Sequence, residues 1–125
     1  MTIDAFDVGT AVDASAGAAG PELVVKSFPE GESHVIQVAG ELDLATRAQV
    51  PAAAAATDHT SVIIDLSGVT FMDFSGFASI EATRLAIESG GRTLTVRGAT
   101  GQPAHLLDLI AELDRTQRVT PSAGM

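Results

Sequence analysis

In the stretch TFMDFSGFAS (residues 70–79), Asp73, Ser75 and Gly76 stand where an apolar run gives way to residues with helical spacing. The first N–H groups of a helix lack intrahelical acceptors, and the helix dipole adds partial positive charge there. An Asp just ahead of a helix accepts one of those N–H groups as an N-cap, and Asp73 is placed to do so. A phosphate carried on Ser75 would meet a favourable field while adding about −1.5 to −2 charges. The fold could accept that charge. A partner covering the helix start, beside Asp73 and near Glu41 or Asp43, could not. Gly76 costs helix propensity, so its presence implies that something approaches the backbone closely.

Other chemistry fits these residues poorly. A nucleophilic Ser75 would need a histidine base within reach and a carboxylate to orient that base. His34 starts a strand, His59 precedes one and His105 opens the last helix, while DFSGF lacks the first glycine of a G-x-S-x-G elbow. The glycines of GGRTLTVRGATG do not form a phosphate-cradling loop ending in Lys and Ser/Thr. The chain has no cysteine, its three histidines are scattered, and Asp43, Asp58 and Asp65 read as solvated or hydrogen-bonded carboxylates. No enzyme activity, cofactor or metal is expected. Sixteen acidic against seven basic residues give a net charge of −9, which argues against nucleic acid and for a basic or neutral protein partner. No apolar run approaches the ~20 residues that span a bilayer, and no signal peptide is legible, so a cytoplasmic protein without membrane contact is expected.

The elements that must position Ser75 can be read from periodicity. Residues 1–20 are rich in Ala, Gly, Asp, Ser and Thr and read as a mobile tail, as do residues 120–125. Leu23–Val25 and HVIQVAG (34–40), joined by SFPEGES with Pro29 and Gly31 placed for a type I turn, predict an antiparallel hairpin. Ala-rich residues 45–56 predict a helix bent or restarted near Pro51. SVIIDLSG (61–68) is almost unbroken in apolar character over residues 62–66, as a central strand covered on both faces requires. For the helix at 75–89, Ala78, Ala82, Leu85 and Ala86 share a stripe with Phe74 that is assigned to the sheet. Phe77, Ile80 and Ile87 fall on a second arc leaning outward, which makes Phe77 and Ile80 candidates for partner contact. TLTVRG alternates as a half-buried strand, and PAHLLDLIAELD places Leu106, Leu107, Ile110 and Leu113 on one helical face. The order strand, strand, helix, strand, helix, strand, helix implies an α/β domain at 21–119, with helices against a mixed sheet of about four to five strands.

VAGELDLAT after a hairpin, VIIDLSGVTFMDFSGFASI leading into a helix, GRTLTVRG and the closing LLDLIAELDRTQRV together resemble the STAS domain of anti-sigma factor antagonists, in its stand-alone form. The resemblance covers residues 22–119. It implies that Ser75, the serine before the glycine of a D-[ST]-S-G loop, is phosphorylated by a GHKL-type protein that is both anti-sigma factor and serine kinase. The unphosphorylated antagonist would bind that kinase and release a sigma factor, phosphorylation would end binding, and a PP2C-type phosphatase would reset the cycle. Asp73, Phe74, Gly76, Phe77 and Ile80, with Glu41 and Asp43 of the GELD segment, would then form the partner surface of a monomer or weak dimer. The family usually has Ser or Thr where this chain has Phe74. A relative of a different kind is the small STAS subunit of bacterial lipid-transport ATPases, which would bind an ATPase without phosphorylation.

Overall fold

The computed structural model describes residues 23–124, and the side chains of residues 23–116. The tail expected at residues 1–20 lies outside them. Strand β1 (Leu23–Glu30) pairs antiparallel with β2 (Ser33–Leu42) in the expected hairpin. The connection is Gly31-Glu32, two residues beyond the turn that Pro29 suggests, and with Gly31 at φ 61° it is not of type I. Pro29 instead lies within β1, an edge strand, where a missing N–H is tolerated.

From β2 onward the chain alternates. Helix α1 (Gln49–Ala55), strand β3 (Ser61–Met72), helix α2 (Phe74–Ser89), strand β4 (Thr93–Arg97) and helix α3 (Gly101–Gly124) follow in turn. Pro51 sits in the first turn of α1, where no N–H is needed, and the residues before Gln49 form turns and not the expected helix. The sheet order is β1-β2-β3-β4, with β2, β3 and β4 mutually parallel. Two successive crossovers of one hand set α1 and α2 against each other on one face of a four-stranded mixed sheet. The backbone of residues 120–124 continues α3, where composition predicts a tail.

The core lies between that face and the helices: Ile36, Val38, Val62, Ile64, Leu66 and Leu94 point into it, together with Leu42, Val50 and Met72. On the opposite face the register rows run Glu30, Ser33, Ser61, Thr93 and Lys26, Gln37, Asp65, Arg97. Arg97 crosses this face, donating to both carboxylate oxygens of Glu30 (2.8 and 3.0 Å) and to Asp65 (3.1 Å). Asp65 is buried, but Ile63 on the same face is only half-buried and Ser67 is exposed, so β3 is fully covered on the helix side alone and not on both faces as its apolar run predicts. The Ser67 N–H and hydroxyl, then Arg97, hold the Asp65 carboxyl below its ordinary range.

Helix α2 turns the arc opposite to the expected one toward the sheet. Gly76, Ser79, Ile80, Thr83 and Ile87 are buried, whereas Leu85 is 70% exposed and Phe74 62%. Ile80, at 1% exposure, is therefore a core residue and not a partner contact. The reason is that α2 is apolar nearly all round, so periodicity alone offers two inward faces of similar merit. Its rotation is decided by Gly76, from which residues 80, 83 and 87 form one line.

At the far end of the sheet His34 and His59 stack with ring centroids 4.9 Å apart, and the buried Nδ1 of His34 has no hydrogen-bond partner among the described residues. Burial, then the neighbouring His59, pushes the His34 pKa down.

Two outcomes follow from this packing. Ile80→Ala should cost about 2–5 kcal/mol in urea unfolding, against at most about 0.5 kcal/mol for Phe74→Ala. Equal effects would return α2 to the other rotation. Because the unfolded chain protonates His34 near pH 6.5 while the folded chain resists it, stability should fall as pH drops below about 6.5. Between pH 7 and 5 the fall should be smaller in His34→Phe, and an unchanged fall would remove His34 as its source.

Candidate partner-binding site

The C-terminal ends of β2 and β3 and the first turn of α2 meet at one edge of the molecule. Glu41 pairs with Phe71 and Leu42 with Met72 across the parallel ladder, and the Asp73 N–H donates to the Leu42 carbonyl at 3.3 Å. Strand β3 runs six residues beyond the expected end at Leu66 and enters α2 with only Asp73 between them. Asp73 is in extended conformation (φ −107°, ψ −175°), and its Oδ1 accepts the Gly76 N–H at 2.9 Å. This is the expected cap. Ser75 is the second helical residue and half-buried, and its hydroxyl has no hydrogen-bond partner among the described residues.

The close neighbour that Gly76 implies is the chain itself. A Cβ on Gly76 would lie 2.3 Å from the Leu42 carbonyl oxygen and 2.9 Å from Leu42 Cγ. No side chain fits there. The N-terminus of α2 is thus pressed onto the end of β2, which brings the GELD segment to the same edge as Ser75.

Asp43 closes the turn after β2. Its Oδ1 accepts the N–H groups of Ala45 (3.1 Å) and Thr46 (3.2 Å). The Thr46 hydroxyl donates to the Glu41 carbonyl at 2.7 Å and accepts the Asp43 N–H at 3.0 Å, so it ties both acidic residues to one geometry. Glu41, Asp43 and Asp73 make no ion pair among the described residues. The edge therefore carries three uncompensated carboxylates.

Large apolar side chains stand among them. Phe74 is exposed on the helix side, Leu44 in the turn after Asp43, and Phe71 beside Glu41 on the sheet side. Phe77 is half-buried. The structure thus gathers Glu41, Asp43, Asp73, Phe74 and Ser75 at one edge, and removes from partner contact both Ile80, which lies in the core, and Gly76, which is buried against Leu42. Leu44, Thr46 and Phe71 were not legible as site residues. With β3 ended at Leu66, no facing could be assigned to Phe71, although its alternation with Met72 carried the signal. Among the described residues no three His, Asp or Glu side chains come together at metal-ligand spacing, and no helix is long and apolar enough to cross a membrane.

The contacts separate two kinds of residue. Gly76→Ala should destabilise the domain far more than the about 0.5–2 kcal/mol expected for loss of the cap in Asp73→Ala, as read by thermal unfolding. A Gly76→Ala protein as stable as the unsubstituted one would contradict the seating of α2 on Leu42.

No curated protein sequence matches the chain. Among solved structures, an anti-sigma factor antagonist from Mycobacterium paratuberculosis superposes with a TM-score of 0.61 at 24% identity, covering 76% of this chain and 82% of its own. SpoIIAA, an anti-sigma factor antagonist, matches in its unphosphorylated form (TM-score 0.53, 19% identity, 78% and 98% covered). The Bacillus cell fate determinant SpoIIAA in its phosphorylated form also matches (TM-score 0.55, 20% identity, 74% and 86% covered). Mglu matches over 62% of this chain with a TM-score of 0.56 at 16% identity, and the chain spans only 20% of Mglu. At these identities the likenesses show the fold. A family model described as Mlab, STAS domain, matches residues 25–117, well over half of the sequence, and the chain belongs to the STAS domain family.

Proposed function

We propose that this STAS domain is an anti-sigma factor antagonist, a binding protein and not an enzyme, whose partner face is the edge around Ser75. The observation that carries the reading is the arrangement at the start of α2. Ser75 has a free hydroxyl on a helix start whose cap is supplied by Asp73, beside the exposed Phe74 and three unpaired carboxylates. Phosphorylation there adds charge where the helix N-terminus favours it, so the fold persists. A partner that covers Phe74, Leu44 or Phe71 would have to desolvate the same dianion, and that cost opposes binding. The partner on this reading is a GHKL-type serine kinase acting as anti-sigma factor in the cytoplasm, with a PP2C-type phosphatase restoring the free serine. The likeness to antagonists, one of them solved in a phosphorylated form, supports this reading.

Phe74 is the chain's own departure. At 62% exposure it does not pack inward, so it offers a partner an aromatic anchor where the family usually presents a small hydroxyl residue. A second reading keeps the same edge but makes the domain the STAS subunit of a bacterial lipid-transport ATPase, bound without phosphorylation; membership of the STAS family is compatible with both readings.

Incubation with the purified anti-sigma kinase and ATP should add one phosphate, mapped to Ser75 and absent from Ser75→Ala. Efficient labelling of Ser75→Ala would sink the assignment. Ser75→Glu and Phe74→Ala should each weaken kinase binding by about tenfold or more with little change in thermal midpoint. Tight binding to a transport ATPase, indifferent to Ser75→Glu, would favour the second reading.

A further inference from the structure

Strand β3 has twelve residues, but β4 pairs only with its first five, Ser61 to Asp65. Beyond Asp65 the β4-side edge of β3 has no strand beside it, and a buried strand cannot leave its backbone groups unpaired. At Met72, whose side chain is fully buried, the missing strand is replaced by one side chain. Gln102, in the first turn of α3, accepts the Met72 N–H through Oε1 and donates from Nε2 to the Met72 carbonyl, both at 2.8 Å. A primary amide presents a carbonyl and an N–H side by side, so it can satisfy both backbone groups of one residue as a neighbouring strand would. Pro103, buried beside it, seats this turn of α3 against the domain.

We infer that Gln102 is the positioning residue of the Ser75 site, and that α3 is coupled to that site through it. The inference rests on the reading of Ser75 as the centre of the partner face. Met72 immediately precedes Asp73, and its other flank is held by the ladder to Leu42. The Gln102 clasp therefore fixes the last residue of β3, the position of the Asp73 carboxylate and, through the Gly76 N–H, the first turn of α2. From α3 to the cap of α2 the route is one clasp, one peptide and one capping bond. A displacement of the first turn of α3 would loosen the cap and the presentation of Ser75. Coupling is reciprocal, so whatever displaces the first turn of α2 would pull on the clasp in return.

Amide hydrogen exchange on the isotope-labelled full chain reads this without any partner. Gln102→Ala should lower protection of the Met72 and Gly76 amides by roughly tenfold or more while the amides pairing β1 with β2 keep theirs. Gln102→Glu isolates the donor. Its ionised carboxylate can accept from Met72 but cannot donate, whereas the protonated carboxyl can do both. The loss of protection, relative to the unsubstituted chain, should therefore shrink as pH is lowered through the carboxyl's titration. Unchanged protection of Gly76 in Gln102→Ala would overturn the inference. So would an equal loss at every amide, or a Gln102→Glu defect that ignores pH. None of these readouts involves a kinase, so their failure is distinguishable from failure of Ser75 to be phosphorylated.

Discussion

The contact between Gly76 and Leu42 governs the rest of this domain. With 2.3 Å between the Leu42 carbonyl oxygen and the place where a Cβ would stand, the first turn of α2 can lie against the end of β2 only because residue 76 has no side chain. That contact sets the rotation of the helix, because Ile80, Thr83 and Ile87 lie on the line that runs from Gly76 along its axis. It also decides what is left outside. Phe74 and Leu85 face solvent because Gly76 faces the sheet.

Around that contact the β2–β3 ladder holds one flank of the backbone, and side chains hold what the ladder leaves over. Asp73 takes the Gly76 N–H, Gln102 takes both groups of Met72, and Thr46 with Asp43 closes the turn after β2. Each bond satisfies a donor or acceptor that the regular elements leave over where parallel strands end. The outcome is an edge on which the Asp43 and Asp73 carboxylates accept backbone N–H groups, Glu41 is held through its backbone carbonyl, and none of the three has a cation paired with it among the described residues. Such an edge is suited to binding, because its shape is set before a partner arrives.

The division between scaffold and surface explains how one hydroxyl could act as a switch. The groups that hold the edge are Asp73, Gln102, Thr46 and the glycine; Ser75 takes no part in them. Adding charge to Ser75 breaks none of these bonds and meets the positive end of α2. Its effect is concentrated on whatever covers Phe74 and the neighbouring carboxylates. The opposite face is secured independently by Arg97 between Glu30 and Asp65, far from any consequence at Ser75.

The closeness of the GELD segment to Ser75 was implied by the family resemblance, whereas the element order, the hairpin, the mixed sheet and the Asp73 cap were legible in the sequence itself. They depend on local periodicity, turn chemistry and spacing, which one chain displays in full. The end of β3 was not, because Ser67 and Gly68 resemble a strand stop, whereas pairing with β2 carries the strand to Met72. The facing of α2 was not, because a helix with apolar residues on two arcs has no unique inward side until something is placed against it. Gly76 announced a close approach, but only the tertiary structure shows that Leu42 makes it, turning Ile80 inward and Phe74 out. Gln102 could not be found at all by reading along the chain. Its partner lies thirty residues away and is backbone, which has the same composition at every position.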